Sequence, residues 1–74
     1  MAQTNTQFAE KVDIHFSMAS RLRNGKRLPG ASLIFRISDA YQLPIDQVQE
    51  AYLDGPDEFG KYLREKVFDA QDPS

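Results

Sequence analysis

The chain has 74 residues, which is enough for one small domain and too short for two independent hydrophobic cores. Hydrophobic residues make up 41% and charged residues 27%, which excludes the apolar-poor composition of a disordered chain, and the absence of cysteine excludes disulfide bridges and thiolate metal sites. The longest aliphatic and aromatic run, residues 33–35, is too short for a membrane span, and the polar residues 1–7 do not resemble a signal peptide, so we expect a cytoplasmic protein.

The formal net charge of −2 is unevenly distributed along the sequence. Residues 1–37 carry six basic and two acidic side chains, a charge of +4, whereas residues 38–74 carry three basic and nine acidic side chains, a charge of −6. Four of the cations fall within residues 21–27. Because the local field governs association more than the total charge does, this asymmetry favours one face that attracts polyanions. Solvated lysine and arginine on short helices are the alternative explanation.

The spacing of apolar residues predicts five short helices and no strands. The predicted helices span residues 4–12, 16–24, 31–41, 44–52 and 56–68. The first begins at Thr4 because Thr4 and Gln7 fit a capping box, and the second ends where Gly25 can form a left-handed C-cap. Gly60, inside the fifth helix, either weakens that helix or lets another element approach it closely.

These helices are predicted to form one all-α domain over residues 1–74. We expect its core in residues 4–52, followed by a C-terminal helix at about 56–68 and a frayed tail at 69–74. The residues that we predict to be in the core are Phe8, Val12, Leu22, Leu33, Ile34, Ile37, Tyr41 and Val48.

The first two predicted helices have the layout of a DNA-binding helix-turn-helix. They are joined by a three-residue turn, and the second is polar, basic and followed by a basic loop. Such a helix needs only a few inward contacts, which Ile14, Ala19 and Leu22 supply, so that its remaining surface can enter a DNA major groove.

Residues 4–48 also follow the pattern of one family without a gap. The matching residues are Thr4 to Val12, Ile14, Ser20, Asn24, Gly25, Lys26, Arg27, Pro29, Ile34, Ile37, Ala40, Tyr41, Asp46, Gln47 and Val48. On these residues the chain resembles the Cro/cI (Xre-type) repressors of temperate phages and bacteria, and in its single domain it is most similar to the phage Cro proteins. The resemblance implies a small lambda repressor-like helix-turn-helix bundle that binds double-stranded operator DNA and regulates transcription as a repressor. It also implies a homodimer, at least on DNA, and no cofactor, membrane or small-molecule substrate.

The resemblance assigns contacts with DNA to individual residues. Contacts with base edges in the major groove, from a helix at 16–24, are implied for Phe16, Ser17, Ser20 and Arg21. Contacts with phosphates are implied for Asn5, Asn24, Lys26, Arg27 and the free N–H groups around Ala31 and Ser32, and we expect a phosphate contact from the His15 imidazole as well. The Arg21 guanidinium can make a bidentate contact with guanine, and the Phe16 ring can pack on a thymine methyl.

The chain departs from the family pattern at four places. Asp13 stands where the family has a turn glycine, and His15 stands where a Ser or Thr caps the second helix, so we expect a strained turn and a weaker cap. Arg23 replaces a Glu that pairs with the family's leading helix. Only three residues precede the first helix, so we expect the leading helix to be missing. One face of the C-terminal helix either covers the gap or pairs with its copy in a dimer; its residues are Phe59, Tyr62, Leu63 and Val67.

An alternative function is a protein-interaction module, such as an antitoxin-like or host-takeover protein, that keeps the fold while its acidic half binds another protein. The acidic pI of about 5.2 and the aromatic Phe16 favour this alternative slightly. We expect no enzyme, because no nucleophile-base arrangement or phosphate-binding loop is present in the sequence. We expect no metal site, because His15 is the sole histidine and the chain has no cysteine to bind a metal with it.

Overall fold

Within residues 4–68, which the computed structural model describes, the chain forms five α-helices and one π-helical turn. The helices are α1 (Asn5–Val12), α2 (Phe16–Arg23), α3 (Ala31–Tyr41), α4 (Ile45–Leu53) and α5 (Pro56–Leu63), and the π segment is Arg64–Phe68. The prediction of an all-α helix-turn-helix bundle is confirmed. The predicted tail at 69–74 lies outside the described residues.

The N-terminus of α1 is stabilised by the predicted capping box. The Gln7 N–H donates to Thr4 Oγ1, and the Thr4 N–H donates to Gln7 Oε1, both at 3.0 Å. These two bonds satisfy amide groups that have no partner inside the helix. The sequence pattern therefore located this helix start correctly.

The C-terminus of α2 is a Schellman motif built on Gly25. Gly25 has φ of +72°, its N–H donates to the Leu22 carbonyl at 3.2 Å, and the Lys26 N–H donates to the Arg21 carbonyl at 2.9 Å. The helix itself ends at Arg23, one residue earlier than predicted, with Asn24 as its C-cap. These backbone hydrogen bonds set the direction in which the chain leaves α2.

The core joins all five helices and the π segment. Its buried apolar residues are Phe8, Ala9, Val12, Ala19, Leu22, Leu33, Ile34, Ile37, Val48, Ala51, Phe59, Leu63, Val67 and Phe68. Tyr41, which we predicted to be in the core, is half-buried and stacks on Phe8 with ring centroids 5.8 Å apart. The helices α1 and α2 pack closely together, and α5 packs on both α2 and α4.

The C-terminal segment supplies four fully buried large side chains, which are Phe59, Leu63, Val67 and Phe68. Each such side chain contributes about 1.5–3 kcal/mol by leaving water, whereas the net stability of a domain this small is about 3–5 kcal/mol. The segment is therefore a necessary part of the core. The helix predicted at about 56–68 is α-helical to Leu63 and continues as the π-helical turn Arg64–Phe68, where hydrogen bonding changes to the i→i+5 pattern.

None of the helices in this part of the chain has the length and apolar character required to cross a membrane.

Candidate nucleic-acid interface

The turn between α1 and α2 holds Asp13 in the left-handed region, with φ of 60°. The Ile14 N–H donates to the Ala9 carbonyl at 2.9 Å, which closes the turn. From α3, Arg36 Nη1 donates to the Val12 carbonyl at 3.1 Å and to the Asp13 carbonyl at 3.2 Å. Arg36 therefore ties the end of α1 and the turn to a third helix. This role could not be predicted from the sequence, because the partners lie 24 and 23 residues away along the chain.

The N-terminus of α2 is capped by an imidazole. His15 Nδ1 accepts a hydrogen bond from the Ser17 N–H at 3.1 Å and lies 2.8 Å from Ser17 Oγ. An Nδ1 atom that accepts a backbone N–H carries no proton, so the Ser17 hydroxyl donates to it as well. The histidine thus performs the capping that Ser or Thr performs in the family pattern. The cap is therefore present, and its lower strength relative to a Ser or Thr cap stays a prediction.

The predicted base-contacting residues occupy the solvent side of α2. Phe16 is 58% exposed, Arg21 is exposed, and Ser17 and Ser20 are half-buried. The Phe16 ring lies 4.9 Å from the His15 ring, centroid to centroid, at an interplanar angle of 32°. A large aromatic ring exposed on a polar helix is available for an apolar contact with a partner.

The loop after α2 continues this exposed surface. Asn24, Lys26 and Arg27 are exposed, and Asn24 Nδ2 donates to Ser20 Oγ at 3.4 Å. Ser32 is exposed in the first turn of α3, whose N-cap, Gly30, has no side chain to bind the free amides. Cationic and amide groups therefore extend from the middle of α2 to the start of α3.

Two polar side chains near this surface, those of Arg23 and Asn5, bond to each other. Arg23, one of the four cations within residues 21–27, is half-buried, and its guanidinium lies 4.5 Å over the ring of Phe68. Its Nη1 donates to Asn5 Oδ1 at 3.2 Å, which ties α2 to the start of α1. Arg23 therefore belongs to the packing between helices. Asn5 is half-buried, and the bond occupies its carbonyl oxygen while its amide NH₂ is the group that could donate to a phosphate.

The apolar face of the C-terminal helix contacts the core of its own chain. Phe59, Leu63 and Val67 have no exposed surface, and Tyr62 is half-buried. Within residues 4–68, the Tyr62 hydroxyl is enclosed without a hydrogen-bond partner. Burial, together with the nearby carboxylate of Asp46, raises the pKa of Tyr62. The intrachain packing of this face places three of the four predicted side chains out of reach of a second copy.

No group of three or more His, Asp or Glu side chains is arranged to hold a metal ion in the part of the chain that the structure describes.

A comparison with protein families identifies one match. The family model described as Helix-turn-helix matches residues 3–48, which include α1, α2, α3 and the first residues of α4. The match covers all the residues that we predicted to contact DNA and ends before α5. No curated protein and no solved structure is significantly similar to the chain.

Proposed function

Since the chain belongs to this helix-turn-helix family of Xre type, a family of DNA-binding regulators, we propose that it is a Cro-like repressor of transcription. In this proposal the protein binds a specific sequence of double-stranded operator DNA in the cytoplasm of a bacterial or phage-infected cell. It carries out no catalysis and requires no cofactor.

The observation that carries the proposal is the exposed surface from Phe16 to Arg27 on a chain whose net charge is −2. Arg21, Lys26 and Arg27 are exposed on this surface, whereas the turn behind it is held by Arg36. A rigid helix with exposed cations beside it is the arrangement that enters a major groove and contacts the flanking phosphates. The concentration of positive charge on this one surface therefore supports DNA as the partner.

The residues have different roles in this proposal. Those proposed to contact base edges are Phe16, Ser17, Ser20 and Arg21. Those proposed to contact phosphates are Asn5, His15, Asn24, Lys26, Arg27 and Ser32. Phosphate contacts orient the protein on the duplex, and base contacts select the sequence.

The internal hydrogen bonds of the two serines suggest which base groups they recognise. The Ser17 hydroxyl donates to His15 Nδ1, so its oxygen remains as an acceptor for the amino group of adenine or cytosine. Ser20 Oγ accepts from Asn24, which leaves its hydrogen as a donor and one lone pair as an acceptor. Ser17 is thereby proposed to recognise base donors, whereas Ser20 can also donate to guanine or thymine oxygens or to a purine N7.

We propose that two copies bind the two half-sites of a symmetric operator, about 34 Å apart, and that they pair on the DNA. The support for pairing on DNA is the intrachain burial of Phe59, Leu63 and Val67, which leaves this face unable to hold a dimer together in solution. Sedimentation of the free protein as a stable dimer at micromolar concentration would contradict this part of the proposal.

The experiment that tests the function measures affinity for DNA flanking the protein's own gene over a series of salt concentrations. Arg21→Ala should cost about 1–3 kcal/mol on the preferred sequence and relax the preference at one base pair. Lys26→Ala should weaken binding to all sequences equally and reduce the log-log salt slope by about 1. The control is Lys66→Ala, which removes the same side chain and charge from an exposed position on the π segment.

Absence of specific binding at low salt would refute the repressor function. Equal effects of Arg21→Ala and Lys26→Ala on sequence preference would refute the division of roles. A specific partner whose affinity changes little with salt would instead support the protein-interaction alternative.

A further inference from the structure

The family match ends at residue 48, yet the C-terminal segment contacts the part of the chain proposed to bind phosphates. We use the term phosphate loop for residues 24–27, which contain the exposed Asn24, Lys26 and Arg27. Two residues of the C-terminal segment, Gly60 on α5 and Arg64 at the start of the π segment, meet the chain immediately before Lys26.

The backbone of α5 crosses directly over Gly25 at the position of Gly60. A Cβ atom at Gly60 would lie 2.7 Å from the Gly25 nitrogen, 2.8 Å from Gly25 Cα and 3.0 Å from the Leu22 carbonyl oxygen. These neighbours are backbone atoms, which cannot rotate away as a flexible side chain can. Gly25 is also close to α5, because a Cβ at Gly25 would lie 3.3 Å from Asp57 Cα. Gly60 therefore determines how closely α5 supports the loop.

Arg64 completes the end of α2. The Schellman motif uses the carbonyls of Arg21 and Leu22, and the Asn24 N–H donates to the Ser20 carbonyl. Arg64 Nη1 donates to the next carbonyl in the series, that of Arg23. A cation at the C-terminus of a helix also interacts favourably with the helix dipole. The last turn of α2 is thus held from outside by a residue 41 positions later.

We propose that Gly60 and Arg64 are positioning residues for DNA binding, which hold the phosphate loop in place without touching DNA. This inference rests on the proposed function. A loop that is fixed before binding loses less conformational freedom when its side chains engage phosphates, so the support raises affinity. The exposed side chains of the supported loop, those of Asn24, Lys26 and Arg27, are all proposed phosphate contacts, whereas the proposed base contacts are side chains of α2 itself. The salt dependence of binding should therefore change and the sequence preference should not.

The first test is Gly60→Ala in the full chain. The added methyl group must push α5 and the loop apart, and we expect affinity for operator DNA to fall about tenfold while the salt slope decreases by about 1, the loss of one phosphate contact. The ratio of affinities for operator and scrambled DNA should stay within about twofold of the wild-type ratio. The control is Val48→Ala, a buried change on α4 that lowers stability away from the loop and should leave the salt slope unchanged.

The second test is Arg64→Met, which removes the bond to the Arg23 carbonyl while keeping an unbranched apolar stem. We expect the salt slope to decrease as for Gly60→Ala. In the free protein, the amide hydrogens of Gly25 and Lys26 should exchange about tenfold faster than in the wild type, whereas those of α1 should exchange at wild-type rates. If Gly60→Ala does not fold, Arg64→Met alone tests the positioning role.

The two proposals fail in different ways. If the wild-type protein does not bind DNA, the proposed function is refuted, and the DNA role of the two residues is refuted with it. If the wild type binds but Arg64→Met keeps its salt slope and its exchange rates at Gly25 and Lys26, only the positioning role is overturned. A changed sequence preference with an unchanged salt slope would also overturn it.

Discussion

Replacement of Arg36 by Met tests whether this side chain holds the helix-turn-helix together. The substitution removes a guanidinium that donates from one nitrogen to the Val12 and Asp13 carbonyls, at 3.1 and 3.2 Å, and it keeps a long apolar side chain on α3. A hydrogen bond from a charged donor contributes about 1.5–3 kcal/mol when it is buried.

The geometry of the two bonds reduces the loss of stability that we expect from Arg36→Met. Both bonds share one nitrogen, and the bond to Asp13 is exposed to solvent while the bond to Val12 is partly buried. We therefore count the pair as one bond and expect a loss of about 2 kcal/mol. For a domain of 60–100 residues this corresponds to a decrease in Tm of roughly 8–16 °C. Because the whole of α2 loses support, DNA affinity should fall without a selective change in base preference or salt slope.

Thermal unfolding followed by circular dichroism measures the stability change. Arg36→Lys keeps the charge and can still donate to a carbonyl, so it should lose about half as much stability as Arg36→Met. Arg27→Met removes the same group from an exposed loop position and should change stability by less than about 0.5 kcal/mol. If Arg36→Met and Arg27→Met had the same Tm, the bonds from Arg36 to the turn would contribute nothing to stability, contrary to the prediction.

Three further predictions concern the turn and the core. His15→Ala should cost about 1 kcal/mol because it removes the cap of α2, whereas His15→Ser should keep or slightly raise the stability because Ser is a preferred N-cap; equal losses for the two variants in thermal unfolding would contradict the capping role. Asp13→Gly should raise stability by about 0.5–1 kcal/mol, since glycine adopts φ of 60° without strain, and a decrease in Tm would show that the turn is not strained. Burial raises the pKa of Tyr41 from 10.0 to about 12, so above pH 10 the unfolded chain ionises first and wild-type stability falls up to pH 12. Tyr41→Phe should lessen this decrease. If the Tm of the wild type and of Tyr41→Phe fell by the same amount between pH 8 and pH 11, ionisation of Tyr41 would not contribute to the loss of stability.

Features that depend on neighbouring residues in the chain were predictable from the sequence. The capping box at Thr4 and Gln7 is local, and so is the left-handed Gly25 that ends α2. Both devices work through residues three to five positions apart, whose geometry the helix itself sets. The start of α4 differed by a single residue, because Pro44 is the N-cap and not the first helical residue.

The contacts of the arginines could not be predicted in the same way. Arg36 and Arg64 bind carbonyls 24 and 41 residues away, and only the packing of the helices brings these groups together. For Gly60 the sequence left two possibilities, a weakened helix or a close approach, and the crossing with Gly25 establishes the close approach. The π segment was missed because its i→i+5 bonding follows from packing and has no residue signal of its own.

The orientation of Arg23, by contrast, was accessible from helix geometry. Successive residues are about 100° apart around a helix, so Arg21 and Arg23 are separated by roughly 200° and cannot lie on one face. Arg21 is exposed, and Arg23 stacks on Phe68. A count of charges within a sequence window combines both faces of the helix, and the count must be resolved by helical position before it describes an interface.

The acidic residues explain how a chain with a net charge of −2 can bind a polyanion in one orientation. The carboxylates of α4, α5 and the segments that follow them are exposed, namely those of Asp46, Glu50, Asp54, Asp57, Glu58 and Glu65. At an ionic strength of 0.1 M, interactions between exposed charges are screened over about 10 Å, so each face of the protein interacts with DNA mainly through its own charges. The surface from Arg21 to Arg27 is then attracted, and the groove lined by Glu50, Asp54, Glu58 and Glu65 is repelled. Asp57 lies against Gly25 and lowers the attraction of the loop itself. In our proposal, α5 supports the phosphate loop through its backbone and disfavours the reversed approach through Glu58, so positioning and orientation would both depend on a helix beyond the family match.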